Sequence, residues 1–210
     1  EPILGALDAL HAQGVYHRDI SPDNILLLAD GRPVLLDFGS ARQVIGNSTP
    51  SLTALLKPHF APLEQYADDE GMRQGPWTDL YALGATLHFV LTGRAPTPSV
   101  LRAVRDALPP LAGMPQAAFP SVSPRCLATI DWMLALAPDE RPQSVHAVHC
   151  ALRGAIDPPA PRAASAPPAA SVEGRGARGD DAPIESAHGR ARYGSDGSDG
   201  SDGSDGSDGS

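Results

Sequence analysis

The sequence predicts an α+β fold, with a mostly helical domain and one small β-hairpin over residues 1–154 and a disordered tail over residues 155–210. Apolar residues recur at helical spacing in several segments of the first part. Two short apolar runs flank the pair Asp30-Gly31, which is a strong sequence signal for a β-hairpin. After residue 154 the apolar period stops, and Pro, Ala, Gly, Ser and Asp dominate the composition.

The first predicted element is an amphipathic helix. Ile3, Leu4, Leu7 and Leu10 recur at helical spacing, and Gly14 follows as a stop signal. The helix therefore ends just before a polar loop that contains several chemically active side chains.

The β-hairpin comes next and joins residues 25–29 to residues 32–36. If Asp30-Gly31 form a two-residue turn, Asn24 lies opposite Asp37, with Cβ atoms roughly 4.5–5.5 Å apart. A carboxylate and an amide oxygen so close together predict a seat for an oxygen-preferring cation such as Mg²⁺. A longer turn would shift this register by about one residue.

The loop before the hairpin reads His-Arg-Asp-Ile-Ser-Pro-Asp-Asn over residues 17–24, and Asp-Phe-Gly follows at residues 37–39. Together and in this order, the two motifs resemble the catalytic and metal-binding loops of the protein kinase family. The resemblance implies a protein-kinase-like fold, with residues 1–154 as its mostly helical C-terminal lobe. It also implies that Asp19 is the catalytic base, and that Asn24 and Asp37 hold the Mg²⁺ ions that bridge the phosphates of ATP.

The residues around these three have supporting roles by the same resemblance. His17 has no second metal ligand at a suitable spacing, so a packed, hydrogen-bonded histidine is favoured, and the family implies that it packs beside Phe38. Gly39 completes the Asp-Phe-Gly motif. In the family an arginine such as Arg18 pairs with a phosphate on the activation segment, which here covers residues 37–64.

A cluster of hydroxyl groups in that segment gives candidate phosphorylation sites. Hydroxyl clusters in loops are usually ordinary loop residues, and the alternative is that phosphorylation within the cluster is read by Arg18. The candidates are Ser48, Thr49, Ser51 and Thr53.

Ser21 is a departure from the family pattern. Most serine/threonine kinases carry a lysine two residues after the base, where it contacts the transferring phosphate. Lys57 stands where the family usually has a substrate-positioning threonine. Two interpretations are open: Lys57 is a solvated loop cation, or it replaces the missing lysine and neutralises charge on the γ-phosphoryl oxygens.

Two further stretches predict a buried ion pair. Residues 57–66 resemble the end of the activation segment, and residues 138–142 resemble the Asp-x-x-Arg-Pro stretch near the end of kinase domains. The resemblance implies that Arg141 pairs with Glu64, in a structural rather than catalytic role.

The central helix is predicted around residues 77–91, because this run is apolar on nearly every face and therefore suited to full burial. Asp79 at its start is suited to accept exposed backbone N–H groups, and the family assigns it to the backbone of the catalytic loop. Gly84 inside a helix costs about 1 kcal/mol relative to Ala, so we expect close packing at this position.

Three shorter helices are predicted after the central one. Residues 98–108 predict a short surface helix that carries the basic residues Arg102 and Arg105. Residues 123–136 and 144–153 each place apolar side chains on one face.

Composition excludes some classes of function. Residues 1–154 contain 11 basic and 15 acidic residues, and residues 155–210 contain 5 and 10, so we expect no electrostatic binding to nucleic acid. Cys126 and Cys150 form no metal-ligand spacing and predict two small apolar side chains in a reducing compartment. No signal peptide is visible and the longest apolar run is too short to span a bilayer, which favours a cytoplasmic protein without a membrane segment.

These observations predict a bacterial-type serine/threonine protein kinase, with ATP and a protein substrate as partners. No Gly-x-Gly-x-x-Gly occurs in residues 1–154, so we expect the nucleotide-gripping N-terminal lobe to be absent and this chain to be inactive alone. A non-catalytic, pseudokinase-like scaffold is an alternative, which the intact Asp19, Asn24 and Asp37 disfavour. A small-molecule phosphotransferase is another, which Arg18, Glu64 and Arg141 together disfavour.

Overall fold

The computed structural model describes residues 1–37, 42–43, 57–66 and 72–160. Five α-helices and four short strands lie in these described ranges, together with several single turns of 3₁₀-helix. The helices are α1 Pro2–His11, α2 Pro76–Thr92, α3 Ser99–Val104, α4 Pro124–Met133 and α5 Val145–Arg153. The strands are β1 Val15–Tyr16, β2 Ile25–Leu27, β3 Pro33–Leu35 and β4 Arg42–Gln43.

The β-hairpin has a longer turn than the two-residue turn predicted from Asp30-Gly31. Strands β2 and β3 pair Ile25 with Leu35, because the loop has three residues and Gly31 takes the left-handed conformation as its third (φ 79°). The predicted register, with Asn24 opposite Asp37, is therefore wrong by one residue. Asn24 accepts a hydrogen bond from the Leu36 N–H instead (2.8 Å), and Asp37 follows immediately.

Strands β1 and β4 form a second antiparallel pair, with Val15 opposite Gln43 and Tyr16 opposite Arg42. This pairing joins the chain just before the loop of residues 17–24 to the chain that follows the hairpin.

Helix α2 is the central element, and its first two-thirds are buried. It begins at Pro76, after Gly75, and ends at Gly93, which takes a left-handed conformation (φ 69°). The prediction of full burial fails at the end of the helix, where the Val90 side chain is exposed.

Gly84 is required where α2 crosses α4. A Cβ atom at this position would lie 2.9 Å from the Met133 Cβ, which is closer than packed carbon atoms approach. The cost of glycine in a helix is thus offset by a close approach of two helices, as the sequence predicted.

Two clusters of apolar side chains surround α2. One joins α1, the hairpin and α5 to α2, and the other joins the loop after α3 to α2 and α4. The first contains Ile3, Leu4, Leu7, Ile20, Leu35, Leu80, Leu83, Met133, Val145 and Val148; the second contains Tyr81, Ala85, Leu111, Phe119, Leu127, Ile130 and Leu134.

Arg102 is not the surface cation that the sequence predicted. Its side chain is buried, and its guanidinium donates to both carboxylate oxygens of Asp106 at 2.9 Å. It also donates to the Tyr81 hydroxyl (3.2 Å) and to the Leu134 carbonyl (2.9 Å). The amphipathic pattern of α3 could not reveal this burial, because Tyr81 comes from α2 and Leu134 directly follows α4.

The fold class is confirmed as α+β, helix-rich with a small antiparallel hairpin. Within the described residues, no helix is long and apolar enough to cross a membrane. The two cysteines lie in α4 and α5 and are free. Most of the predicted tail, from residue 161 on, lies outside the described residues.

Candidate active site

The loop of residues 17–24, called the catalytic loop below, is held by one carboxylate at the start of α2. Asp79 is fully buried, and it accepts hydrogen bonds from the backbone N–H groups of His17 (2.9 Å) and Arg18 (2.8 Å). The His11 Nε2 donates to the same carboxylate at 2.8 Å. A rigid helix thereby fixes the loop backbone immediately before Asp19.

His17 is fully buried and hydrogen-bonded on both ring nitrogens. Its Nε2 donates to the Leu36 carbonyl (3.0 Å), and its Nδ1 accepts a longer contact from the Asp19 N–H (3.4 Å). These contacts require the neutral imidazole with its proton on Nε2. His17 therefore links the catalytic loop to the strand that leads to Asp37.

The backbone is strained at two positions of the site, one next to Asp19 and one at Asp37. Among the described residues, Arg18 (φ 67°) and Asp37 (φ 57°) are the non-glycine residues with left-handed φ. Such a conformation costs about 1–3 kcal/mol and persists only where neighbouring groups enforce it. At Arg18 both backbone polar groups are held, since the N–H donates to Asp79 and the carbonyl accepts from Gln65 Nε2 (2.7 Å).

Asp19 and Asn24 are joined directly. The Asn24 Nδ2 donates to the Asp19 carbonyl (2.7 Å) and to the Asp19 Oδ2 (2.9 Å). Both bonds use the amide nitrogen, so the amide oxygen is the group with which Asn24 could hold a cation. The turn of 3₁₀-helix at Pro22–Asn24 creates this contact between residues five apart.

Lys57 reaches the catalytic loop from the other side. Its Nζ donates to the Ser21 Oγ at 2.7 Å and lies 3.6 Å from the Asp19 Oδ1 and 3.4 Å from the Asp23 Oδ2. The lysine side chain is 30% exposed. The ammonium thus lies beside the predicted base, next to the serine that occupies the family's lysine position.

Glu64 and Arg141 form a buried bidentate ion pair. The Arg141 Nη1 donates to Glu64 Oε1 (2.6 Å) and its Nη2 to Oε2 (3.2 Å), and neither side chain has exposed surface. The Thr78 hydroxyl donates to the same Glu64 Oε1 at 2.9 Å.

The remaining donors of Arg141 are used as well. The guanidinium also donates to the carbonyls of Ala135 (2.7 Å) and Leu136 (2.8 Å), and it lies 4.6 Å from the centre of the Tyr81 ring. Burial raises the pKa of the Tyr81 hydroxyl, with Arg102 acting in the opposite direction. The guanidinium of Arg141 thus packs against the face of the Tyr81 ring.

Sequence reasoning missed three residues that support the site: His11, Gln65 and Thr78. His11 lies in the first predicted helix, and a polar side chain on the inner face of a helix is a signal for a buried partner. Gln65 and Thr78 carry no local signal, because their partners lie 47 and 14 residues away in the chain.

Several predicted residues lie outside the described ranges. Phe38 and Gly39 are among them, so the predicted packing of Phe38 beside His17 stays a prediction. The same holds for the candidate phosphorylation sites Ser48, Thr49, Ser51 and Thr53.

The protein kinase domain family matches residues 1–152. The chain is 45% identical over 93 residues to the serine/threonine-protein kinase PknK of Mycobacterium bovis, covering 44% of this chain and 8% of that protein. It is 35% identical over 159 residues to serine/threonine-protein kinase C of Synechocystis, covering 72% of this chain and 28% of that protein.

This chain is also similar to a solved structure. The structure titled PpkA-294 apo form matches with a TM-score of 0.58 and 45% identity, over 72% of this chain and 51% of that chain. The chain thus spans 28% or less of the length of these two curated relatives and about half of the solved chain.

Proposed function

This chain belongs to the protein kinase family, and we propose that its protein transfers the γ-phosphoryl group of ATP to a serine or threonine hydroxyl of another protein. The observation that carries the proposal is the contact of Asn24 with both the carbonyl and the carboxylate of Asp19. This contact holds the Asp19 carboxylate in one orientation beside the Asn24 amide. Asn24 in turn accepts a hydrogen bond from the Leu36 N–H, immediately before Asp37. Relatives named as serine/threonine kinases support the choice of hydroxyl.

In this proposal Asp19 is the catalytic base. The bond between the γ-phosphorus and its bridging oxygen breaks, and a bond to the substrate oxygen forms. The hydroxyl proton passes to the Asp19 carboxylate, and ADP leaves. Asp19 is suited to this because the Asn24 bond occupies one carboxylate oxygen, Oδ2, and leaves Oδ1 towards Lys57.

Asn24 and Asp37 are the proposed Mg²⁺ ligands. Their donor set, an amide oxygen and a carboxylate, fits a cation that prefers oxygen and keeps waters and phosphates among its ligands. The described residues contain no cluster of three or more His, Cys, Asp or Glu side chains suited to a metal. The cation would supply charge for the phosphate oxygens of ATP.

The other predicted residues are proposed as supports. His17, Asp79 and the Glu64–Arg141 pair hold the loop backbone and residues 57–66. Phe38 and Gly39 complete the motif that begins at Asp37.

Arg18 is proposed to read a phosphate on the activation segment. The candidate acceptors are Ser48, Thr49, Ser51 and Thr53, and phosphate mapping by mass spectrometry identifies whether any of them is modified.

The test is a kinase assay of the full-length gene product with radiolabelled ATP, Mg²⁺ and a general protein substrate. We expect Asp19→Asn to lower kcat by about 10²–10⁴-fold, since a positioned base contributes that much. Asp30→Asn is the matched control, because Asp30 is an exposed carboxylate in the hairpin turn and its amide can still accept the Arg32 N–H bond. We expect this control to stay within twofold of the wild-type rate.

The same assay distinguishes a protein kinase from the two alternative functions, a non-catalytic scaffold and a small-molecule phosphotransferase. Residues 1–210 contain Lys57 as their only lysine and no Gly-x-Gly-x-x-Gly over 1–154, so we expect this chain alone to show no transfer. A folded full-length protein that transfers no phosphate would favour a non-catalytic scaffold. Transfer to a small alcohol or aminoglycoside, but not to protein, would identify a small-molecule phosphotransferase.

A further inference from the structure

Lysine is used once in this chain. Sixteen of the 210 residues are lysine or arginine, and Lys57 is the only lysine among them. The other basic residues are all arginine. The two cations differ, because the ammonium is a compact point charge with three donors, whereas the guanidinium is a wide planar fork.

The contacts of Lys57 need that compact charge. Its Nζ lies among three oxygens from the catalytic loop, namely the Ser21 Oγ at 2.7 Å, the Asp23 Oδ2 at 3.4 Å and the Asp19 Oδ1 at 3.6 Å. Ser21 is fully buried, while Lys57 keeps part of its surface exposed. The serine therefore acts as a fixed acceptor that holds the amine at the edge of the site.

The backbone that carries Lys57 is anchored. The N–H groups of Phe60 and Ala61 donate to the Lys57 carbonyl at 2.9 and 3.0 Å. Two bonds then tie this turn to the loop before α3 and to α3 itself. The His59 Nδ1 donates to the Pro96 carbonyl and the Ser99 hydroxyl donates to the Ala61 carbonyl, each at 2.8 Å. A solvated loop cation would need no such framework.

We propose that Lys57 is a catalytic residue of this kinase. Its ammonium contacts the phosphoryl group during transfer, in place of the lysine that most related kinases carry at the position of Ser21. Ser21 is a positioning residue, which holds the amine beside Asp19. The proposal rests on the proposed function and specifies how that site supplies its charge.

The proposal has a regulatory consequence. Lys57 belongs to the activation segment and not to the catalytic loop, so its charge reaches the site only when residues 57–66 are docked. Glu64, seven residues later, docks the same stretch through Arg141. Phosphoryl transfer is thereby coupled to the docking of this segment.

The experiment compares three forms of the full-length protein: wild type, Lys57→Met, and the exchange variant Ser21→Lys/Lys57→Ser. A cation that stabilises developing charge acts on the transition state, and removal of one such donor costs about 10²–10³ in kcat. We therefore expect Lys57→Met to lower kcat about 10²-fold, with a change of less than threefold in the KM for ATP. We expect the exchange variant to recover at least tenfold of that loss, because it returns an ammonium to the catalytic loop.

Arg32→Met is the control for loss of a cation, since Arg32 is exposed on the hairpin and is expected to keep kcat within twofold. Thermal unfolding of every variant separates catalysis from folding. A Lys57→Met protein with wild-type kcat overturns the proposal. An exchange variant that folds as the wild type does and recovers nothing also overturns it.

A second measurement does not depend on mutation. An acyl phosphate of ATP carries a mixed anhydride on its terminal phosphate, and a nearby amine attacks the acyl carbon, forms an amide and releases ATP. We expect peptide mass spectrometry to find Lys57 acylated, and excess Mg·ATP to prevent the reaction. Absence of label on Lys57 in an active protein overturns the proposal.

The activity of the wild-type protein distinguishes a failure of the proposed function from a failure of the role of Lys57. A wild-type protein that transfers no phosphate overturns the proposed function, and the role of Lys57 with it. An active wild type whose rate is indifferent to Lys57→Met overturns only the role of Lys57.

Discussion

Two cation–carboxylate contacts fasten residues 57–66 to the rest of the described chain, and they differ in almost every physical respect. Glu64 and Arg141 are completely buried, and their contacts are bidentate. Lys57 is 30% exposed, and it lies 3.4 Å or more from the nearest carboxylate oxygens. The two ends of one ten-residue stretch are therefore held in different ways.

Of the two cations, Lys57 is the one that a ligand can reach. Each of the three guanidinium nitrogens of Arg141 already donates to protein acceptors, so a ligand could contact the arginine only by breaking these bonds. Lys57 has one short hydrogen bond, to Ser21, and two longer contacts with carboxylates. Its ammonium can exchange the longer contacts for phosphate oxygens at little cost, since exposed ion pairs contribute about 0–1 kcal/mol.

The largest expected effect is on the buried side of this comparison. Arg141→Leu leaves the Glu64 carboxylate buried without its cation and removes the donor from the Ala135 and Leu136 carbonyls. Breaking one side of a buried ion pair costs about 3–5 kcal/mol, so we expect a loss of that size in the free energy of unfolding. Urea unfolding followed by tryptophan fluorescence measures it, because the two tryptophans, Trp77 and Trp132, lie in α2 and α4.

Arg105→Leu is the matched control for this variant. Arg105 is exposed just after α3, and surface substitutions usually change stability by about 0.5 kcal/mol or less. If Arg141→Leu cost no more than this control, the buried pair would not be what docks residues 57–66.

The sequence predicted the partners of this buried pair, but for Lys57 it left two interpretations open. Glu64 and Arg141 lie in motifs whose pairing is a family property, so their contact could be expected although 77 residues separate them. The bond from Gln65 to the Arg18 carbonyl could not, since a glutamine after the motif has no local pattern that names its acceptor.

The hairpin shows the same limit at short range. Two apolar runs around Asp30-Gly31 predicted that it exists, but not that Gly31 would take the third position of a three-residue loop. The choice between turn types depends on the twist and packing of the strands, which the dipeptide alone does not contain. A one-residue error therefore entered the register, although Asn24 and Asp37 still flank one end of the strand pair.

An intermediate effect is expected where α2 crosses α4. Gly84→Ala places a Cβ 2.9 Å from the Met133 Cβ, and overpacking of this kind costs about 1–3 kcal/mol. The higher helix propensity of alanine offsets up to about 1 kcal/mol of that. We expect a net loss of stability in urea unfolding, and recovery in Gly84→Ala/Met133→Gly relative to Met133→Gly alone, because glycine at position 133 removes the Cβ that the new methyl group would meet. A stabilised Gly84→Ala would mean that the helices separate easily.

The smallest effect on stability is expected at Lys57, where we expect the largest separation between stability and activity. Lys57→Met removes one hydrogen bond to Ser21 and two longer ion contacts. The contacts with carboxylates are partly exposed, so salt screens them and they contribute about 0–1 kcal/mol. We expect a change in the free energy of unfolding of about 1 kcal/mol or less, smaller still at 1 M salt, in the same urea experiment. Arg141→Leu should keep its full cost at 1 M salt, because its partner is shielded from solvent. If Lys57→Met destabilised the protein as much as Arg141→Leu, Lys57 would have a structural role. The loss of activity in the variant would then result from unfolding rather than from the missing charge.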